Sequence, residues 1–259
     1  MTSERPVIVV TGAARGIGRA IALAHGRAGA DVVLAGRDRI GLEATAATLT
    51  ELGGASLCVP TDVTDDDQVD ELARRSLERF RRVDALVANS GVGGPSGPLW
   101  KLTRRDWDAT FAVNVTGVFL CARAFLPAML ERGAGAIVVI GSMTGKRPLW
   151  GHTPYASSKL ALVGLVRTLA LETGPSGVRV NLVSPGPVAG ERMEWAFEAQ
   201  AEGRGISVEQ ARQEVVEEIP IGRLVEPGEV ADAVVLLTLG TNAAVTGIDL
   251  NVSGGMVTY

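Results

Sequence analysis

The stretch Thr11-Gly12-Ala13-Ala14-Arg15-Gly16-Ile17-Gly18 constrains this chain more than any other. It joins an apolar run, Pro6–Thr11, to a segment of helical spacing, Gly16–Ala28. A strand that turns directly into a helix through three glycines has a physical reading. Gly12 permits the tight turn, Gly16 lets a ligand approach the backbone, and Gly18 lets helix and strand pack closely. The new helix offers free amides and a partial positive charge to an anion such as a pyrophosphate. The loop therefore predicts a β-α-β unit that binds a dinucleotide, with Arg15 and Ile17 joining the glycines as contacts.

The rest of the chain repeats the unit. Apolar runs at Asp31–Ala35, Ala55–Pro60, Val83–Ala88, Gly135–Ile140, Val178–Val183 and Ile248–Asn251 alternate with helical patterns, including Asp38–Leu52 and Asp65–Arg82. Strands this apolar are buried on both faces, as in a parallel sheet between helix layers. A hydrophobic fraction of 46% suffices for such a core. The prediction is an α/β fold: a doubly wound, Rossmann-type parallel sheet of seven strands with helices on both faces, in one domain over residues 1–259. Residues 189–218 break the rhythm. They are polar, helical in tendency, and leave a strand end through Pro185-Gly186-Pro187, where such folds bind ligands. They are read as a substrate lid, against the plainer reading of a solvated helix.

Composition removes other classes. Twenty-five basic residues oppose 29 acidic ones with no basic block, which argues against a nucleic-acid partner. Cys58 and Cys121 lie in apolar runs and read as buried thiols. His25 and His152 are too few and too far apart for a metal box, so no metal is expected. The N-terminus lacks a signal-peptide pattern, and the apolar runs are interrupted well short of a membrane span. A cytoplasmic protein without membrane contact is expected.

The end of the second strand selects the cofactor. An acid there would bind a ribose 2′-hydroxyl and favour NAD. This chain has Gly36 and Arg37, and Arg37 with Arg15 suits a 2′-phosphate, which predicts NADP(H) with NAD(H) as the alternative. Asp38 stands one residue on and keeps that alternative open. Asp62-Val63 sits where an adenine would lie; Asp62 accepts from its amine or, in competition with Thr64, caps the next helix.

Tyr155-Ala156-Ser157-Ser158-Lys159 bears the chemistry. Thr153 as cap and Pro154 at the first helical position would start a helix, placing Tyr155 and Lys159 on one face at i and i+4. A free phenol titrates near 10; a neighbouring ammonium lowers that value and makes a general acid/base. By spacing alone the pair would be an ordinary surface Tyr and Lys. Ser142 follows a strand thirteen positions earlier, where its hydroxyl meets a substrate oxygen. Asn114 lies among apolar helical residues, and its amide must find partners. Asn89-Ser90-Gly91 ends the fourth strand, where a turn meets a cofactor ribose.

Taken together, TGAARGIG (11–18), DV (62–63), NSG (89–91), Asn114, GS (141–142), YASSK (155–159) and SPGPV (184–188) resemble the short-chain dehydrogenase/reductase family over essentially the whole chain. Ser90 replaces the usual alanine, and Ala189-Gly190 stands where many members have a threonine that contacts the cofactor amide. The resemblance implies hydride transfer between nicotinamide and a carbonyl or alcohol carbon. Tyr155 would exchange the proton, Lys159 would lower its pKa and bind the ribose, Ser142 would orient the substrate oxygen, and Asn114 would hold a water linked to Lys159. Asn89, Gly91, Pro185, Gly186 and Val188 would complete the cofactor site. It also implies a homotetramer pairing helices near 104–131 and 153–173.

Met143, Trp150, His152, Trp195 and Phe197 are candidates to line a pocket for a small carbonyl or alcohol substrate, apolar or cyclic in character. Lys146 and Arg147 read as an exposed turn. Three alternatives remain: an NAD-linked alcohol dehydrogenase of the same family, a nicotinamide-binding regulator without turnover, and a sugar-nucleotide epimerase, for which the chain is short.

Overall fold

The β-branched runs form one sheet of seven parallel strands in the order β3-β2-β1-β4-β5-β6-β7. They are β1 Val7–Thr11, β2 Asp31–Gly36, β3 Ser56–Pro60, β4 Ala85–Ala88, β5 Gly135–Ile140, β6 Val178–Pro185 and β7 Asp249–Val252. The structure is a computed structural model and describes residues 5–241 and 243–259. The strand order reverses between β1 and β4, where Val9 pairs with Val33 on one side and Leu86 on the other. Connections leave in opposite directions there, which opens a crevice at the carboxyl ends of β1 and β4.

The two-residue period of β1 splits the core into two layers. Val7 and Val9 join Leu72 of α3 (Asp66–Phe80), Phe125 of α5 (Gly117–Arg132) and Leu162 of α6 (Thr153–Thr173). Ile8 and Val10 join Ile21 of α1 (Gly16–Arg27), Leu42 of α2 (Arg39–Glu51) and Val234 of α9 (Pro227–Leu239). Phe125, Leu162, Ile21 and Leu42 are fully buried, and each contributes roughly 1.5–3 kcal/mol by leaving water. The expected seven-stranded, doubly wound architecture is therefore observed.

Local details differ from expectation. Asp65, not Asp62 or Thr64, caps α3 by accepting from Gln68 N. The Asp62 carboxylate instead takes the N–H and O–H of Thr64 at 3.0 and 2.8 Å. Thr153 already has helical geometry, so the cap position of α6 falls to His152, which makes no side-chain capping bond, and Pro154 is second rather than first. The run Arg104–Arg132 is long and apolar enough to cross a membrane by length and composition, contrary to the sequence reading. It begins as α4 (Arg104–Phe111), passes through a π turn at Ala112–Thr116 and continues as α5, which packs on β4, β5 and α3. Its apolarity serves the sheet. Cys121 is buried, and burial pushes its thiol up to about 12; Cys58 is only half-buried.

The 189–218 insertion forms two helices, α7 (Glu191–Arg204) and α8 (Val208–Glu217). They close over a small core of their own, formed by Phe197, Ala201, Ala211, Ile219 and Leu224. Phe197 is completely buried there and is not a pocket residue. An aromatic side chain between two short helices gains more by filling their interface than by facing a cleft.

Candidate active site

The glycine loop has the geometry that its spacing predicts. Gly12 has φ +68°, and a Cβ there would stand 2.8 Å from Asn89 Nδ2. A Cβ on Gly18 would stand 2.0 Å from the Gly12 carbonyl oxygen, so only glycine allows α1 this close to the turn. Gly16, at φ +54°, has nothing within 4 Å in the Cβ direction. Arg15 is the cap residue, exposed and without a capping bond, and the first turn holds no acid. The first amide bonded within the helix is Arg19 N, to Arg15 O. The amides of Gly16, Ile17 and Gly18 thus precede the ladder at an open, uncapped, positive helix end, which fits the pyrophosphate of a dinucleotide.

The end of β4 is tied to this loop. Thr11 Oγ1 accepts from the amides of Asn89 and Ser90 at 3.0 and 2.9 Å, while Asn89 Nδ2 donates to the Thr11 carbonyl at 2.9 Å. The Asn89 side chain thereby braces the crevice. Beyond it, a Cβ on Gly91 would lie 3.3 Å from Asn114 Oδ1 and 3.4 Å from Lys159 Nζ, so glycine there leaves room for both.

At the far rim, Asp38 caps α2 by accepting from Gly41 N at 3.1 Å, which turns its carboxylate toward the helix. Arg37 is largely exposed and lies 3.7 Å from Asp62. An ion pair so exposed is weak and leaves the guanidinium free to meet another anion. Val63 is buried and packs against Gly117, where a Cβ would be 2.8 Å from it.

Tyr155, Lys159, Ser142 and Asn114 converge at the carboxyl edge of β5. Ser142 follows that strand; its hydroxyl accepts from Thr144 N at 3.1 Å and, beside the Tyr155 phenol, helps lower that group's pKa. Lys159 is buried, and its ammonium donates to the Ile140 carbonyl at 2.8 Å and stands 5.9 Å from the Tyr155 ring centre. Burial alone would raise the Tyr155 pKa. The Lys159 charge, then the Arg192 charge, and hydrogen bonds from Ser142 and Arg192 outweigh it and hold the phenol below its ordinary value. Burial lowers the Lys159 pKa, the nearby Tyr155 phenolate opposes that, and Arg192 adds to it. The Asn114 amide is fully engaged: Oδ1 accepts from Val92 N at 2.8 Å, and Nδ2 donates to Val92 O and Ser158 Oγ at 2.9 and 3.0 Å. It fixes the loop after β4 against α6, and the π turn around it breaks the regular carbonyl ladder.

At the end of β6, the Gly186 amide donates to Val252 O, and Val188 bridges in parallel to Val225. A Cβ on Gly186 would stand 2.8 Å from Ser253 Cα. These contacts place the start of α7 over the crevice.

The pocket candidates separate. Met143 and His152 are half-buried near Tyr155 in the chain, whereas Trp150 and Trp195 are 78% and 67% exposed. Burial, then the charge of Arg192, lowers the His152 pKa, so it is neutral near pH 7. Lys146 is not an exposed turn residue. It pairs with Asp249 at 2.8 Å, both side chains being 10% exposed, and Asp249 also accepts from Ser184 Oγ at 2.7 Å. This pair ties the loop carrying Met143 to β7. Arg147 pairs with Glu218 at the surface.

Sequence reasoning missed Arg192. It comes from the first turn of α7 and lies 5.4 Å above the Tyr155 ring, where its charge helps lower the phenol's pKa. In a segment rich in Glu and Arg, nothing in the sequence distinguishes it from its solvated neighbours.

Comparison with known proteins agrees with this geometry. Residues 12–257 match the family model described as enoyl-(acyl carrier protein) reductase, a short-chain dehydrogenase/reductase model. The chain is 34% identical to a 3-oxoacyl-[acyl-carrier-protein] reductase of Synechocystis, over 98% of this chain and 97% of that one. It is 37% identical to the cis-4-hydroxycyclohexanecarboxylate dehydrogenase of Sinomonas cyclohexanicum, over 96% and 95%. A variant of actinorhodin polyketide ketoreductase, solved with NADPH, superposes with a TM-score of 0.95 at 37% identity, covering 100% of both chains.

Proposed function

Because the chain belongs to the short-chain dehydrogenase/reductase family of NAD(P)-dependent oxidoreductases, we propose that it is a ketone reductase. It moves hydride between NADP(H) and a carbonyl or secondary alcohol carbon by a Ser-Tyr-Lys mechanism. The observation that carries this reading is the buried Lys159 ammonium 5.9 Å from the Tyr155 ring centre, with Ser142 beside the phenol, together holding it below its ordinary pKa at the crevice where the sheet order reverses.

When bound, the nicotinamide supplies or takes up the hydride. Tyr155 donates a proton to the carbonyl oxygen in reduction and removes it from the alcohol in oxidation. Ser142 bonds the same substrate oxygen and orients it. Lys159 favours the phenolate and, once it turns from the Ile140 carbonyl, binds the ribose. Asn114 positions Gly91–Val92, and the irregular carbonyls of its π turn are where a water joined to Lys159 would sit. The amides of Gly16, Ile17 and Gly18 hold the pyrophosphate, Asp62 and Val63 border the adenine, and Pro185, Gly186 and Val188 border the nicotinamide.

Two features support NADP(H) over NAD(H). Arg37 offers a largely exposed guanidinium to a 2′-phosphate, and the Asp38 carboxylate is engaged as a helix cap. Of the similar structures, one holds NADPH and another NAD+, so the preference rests on these residues. The α7–α8 hairpin acts as the lid, and the protein works in the cytoplasm as a homotetramer.

The test follows nicotinamide absorbance with NADPH and NADH against ketones, sugars and acyl thioesters. Tyr155→Phe is expected to lose at least about 10²-fold in turnover while cofactor affinity stays nearly unchanged. Arg37→Asp is expected to move the preference toward NADH. Undiminished turnover in Tyr155→Phe would overturn the mechanism. Equal use of both cofactors by the wild type would favour the NAD-linked alternative.

A further inference from the structure

Arg192 crosses the cleft. Its helix belongs to the lid, yet its guanidinium lies 5.4 Å over the Tyr155 ring, and a Cβ on Gly93, in the loop after β4, would lie 2.7 Å from its Nη2. The lid thereby delivers a cation to the place where the substrate oxygen must stand. That cation has no carboxylate partner among the described residues: Glu194, the acid two positions on, is taken by Arg212, and Glu191 is the adjacent residue, which on a helix faces elsewhere. The other cation in the site, Lys159, is buried beneath Tyr155, and His152 is neutral near pH 7. An arginine held between Tyr155 and Gly93, with no carboxylate partner among the described residues, has donors to spare. Guanidinium presents its N–H groups in pairs, a geometry that matches a carboxylate.

We propose that Arg192 is the specificity-determining residue of this site and recognises a carboxylate on the substrate. This rests on the ketone-reductase reading and narrows it to oxo acids and their hydroxy acids. The Arg192 guanidinium lies over the Tyr155 ring, 5.4 Å from its centre, and the phenol must reach the reacting oxygen. The carboxylate therefore lies within a few bonds of the carbon that changes oxidation state. The half-buried Met143, beside Ser142 in the chain, adds an apolar side chain for the remainder of the substrate. In the oxidising direction the alcohol carbon loses hydride to the nicotinamide and the alcohol oxygen loses its proton to Tyr155. The carboxylate is unchanged and serves only as the handle.

The experiment uses protein saturated with NADP⁺, repeated with NAD⁺. The cis-2-, cis-3- and cis-4-hydroxycyclohexanecarboxylates are compared with their methyl esters, which keep the ring and lose the charge. The wild type is expected to prefer at least one acid over its ester about tenfold or more in kcat/KM. Arg192→Met is expected to erase that preference, read as the acid-to-ester ratio of kcat/KM, with the acid's extra loss falling on KM, and Arg192→Lys to restore part of it. Because Tyr155 serves acid and ester alike, any effect of Arg192 on the phenol cancels in their ratio. No acid preference in the wild type, or a preference that survives in Arg192→Met, would overturn the proposal while leaving the reductase reading intact. If neither acid nor ester turns over, calorimetric binding of cyclohexanecarboxylate to the cofactor-saturated protein decides. Binding lost in Arg192→Met supports the assignment, and no binding, or equal binding in both, rejects it.

Discussion

Tyr155 shows how a phenol becomes useful near neutral pH. Burial disfavours its anion, and two cations, Lys159 and Arg192, reverse that preference. The sign of the pH dependence follows. Alcohol oxidation needs the deprotonated phenol, so its rate rises as pH passes upward through the Tyr155 pKa, and the midpoint lies below 10. Carbonyl reduction needs the protonated phenol and falls over the same interval. Lys159→Met, measured at saturating cofactor, is expected to move the oxidation midpoint upward, because the largest favourable charge is gone. A midpoint that stays in place would mean that the profile reports another group. Gly18 is the other residue with no freedom: Gly18→Ala brings a methyl group against the Gly12 carbonyl and should abolish cofactor binding by forcing the loop open.

Among the elements, α1 and α9 are joined by a buried titratable group that the mechanism does not use. His25 lies on α1, with Nδ1 2.8 Å from the Ile21 carbonyl and Nε2 2.7 Å from Thr238 Oγ1 on α9. The carbonyl can only accept, so Nδ1 carries the proton, and the neutral Nε2 competes with the Val234 carbonyl, 2.9 Å away, for the single hydroxyl hydrogen of Thr238. Burial lowers the His25 pKa to about 4, with the Ile21 hydrogen bond opposing. A folded-state pKa below the unfolded value of about 6.5 means that the unfolded chain binds the proton more readily. The stabilisation is therefore complete above about pH 6.5 and disappears as pH falls toward 4, a loss of roughly 3 kcal/mol at most. His25→Gln is expected to be less stable than wild type at pH 7.5, with the gap closing at pH 4.5. Urea midpoints of the two proteins at both pH values measure it, and a gap that does not narrow would show that His25 is not the group responsible.

For the whole molecule, the open question is what covers the outer face of α6. Leu160, Gly164, Thr168 and Leu171 recur at intervals of three or four residues and are all exposed, Leu160 at 51% and Leu171 at 79%. Phe119 and Leu130 are exposed on α5. Two exposed leucines with small residues between them on one helix face suit a helix-pairing subunit interface. Light scattering behind gel filtration is expected to give four chains' mass for the wild type and a smaller particle for Leu160→Glu. A wild-type monomer would end the tetramer proposal.

Much of this protein was decided by local sequence. The glycine spacing dictated the first turn because Gly12 and Gly18 are sterically obligatory, and the apolar runs dictated a sheet buried on both faces because alternate side chains enter different cores. Tyr155 and Lys159 were legible as a pair because four residues of helix bring them to one face. Other features depended on tertiary contact. Lys146 looked like a surface charge, and only β7 supplies the Asp249 that buries it. Phe197 looked like a pocket wall until α7 and α8 closed over it. Asn114 was visible as a polar residue that needed partners, yet those partners, Val92 and Ser158, come from distant parts of the chain. Arg192 carries no local signature at all. Its position over Tyr155 follows from the path the chain takes after β6, and sequence spacing does not encode the distance between α7 and a ring on α6.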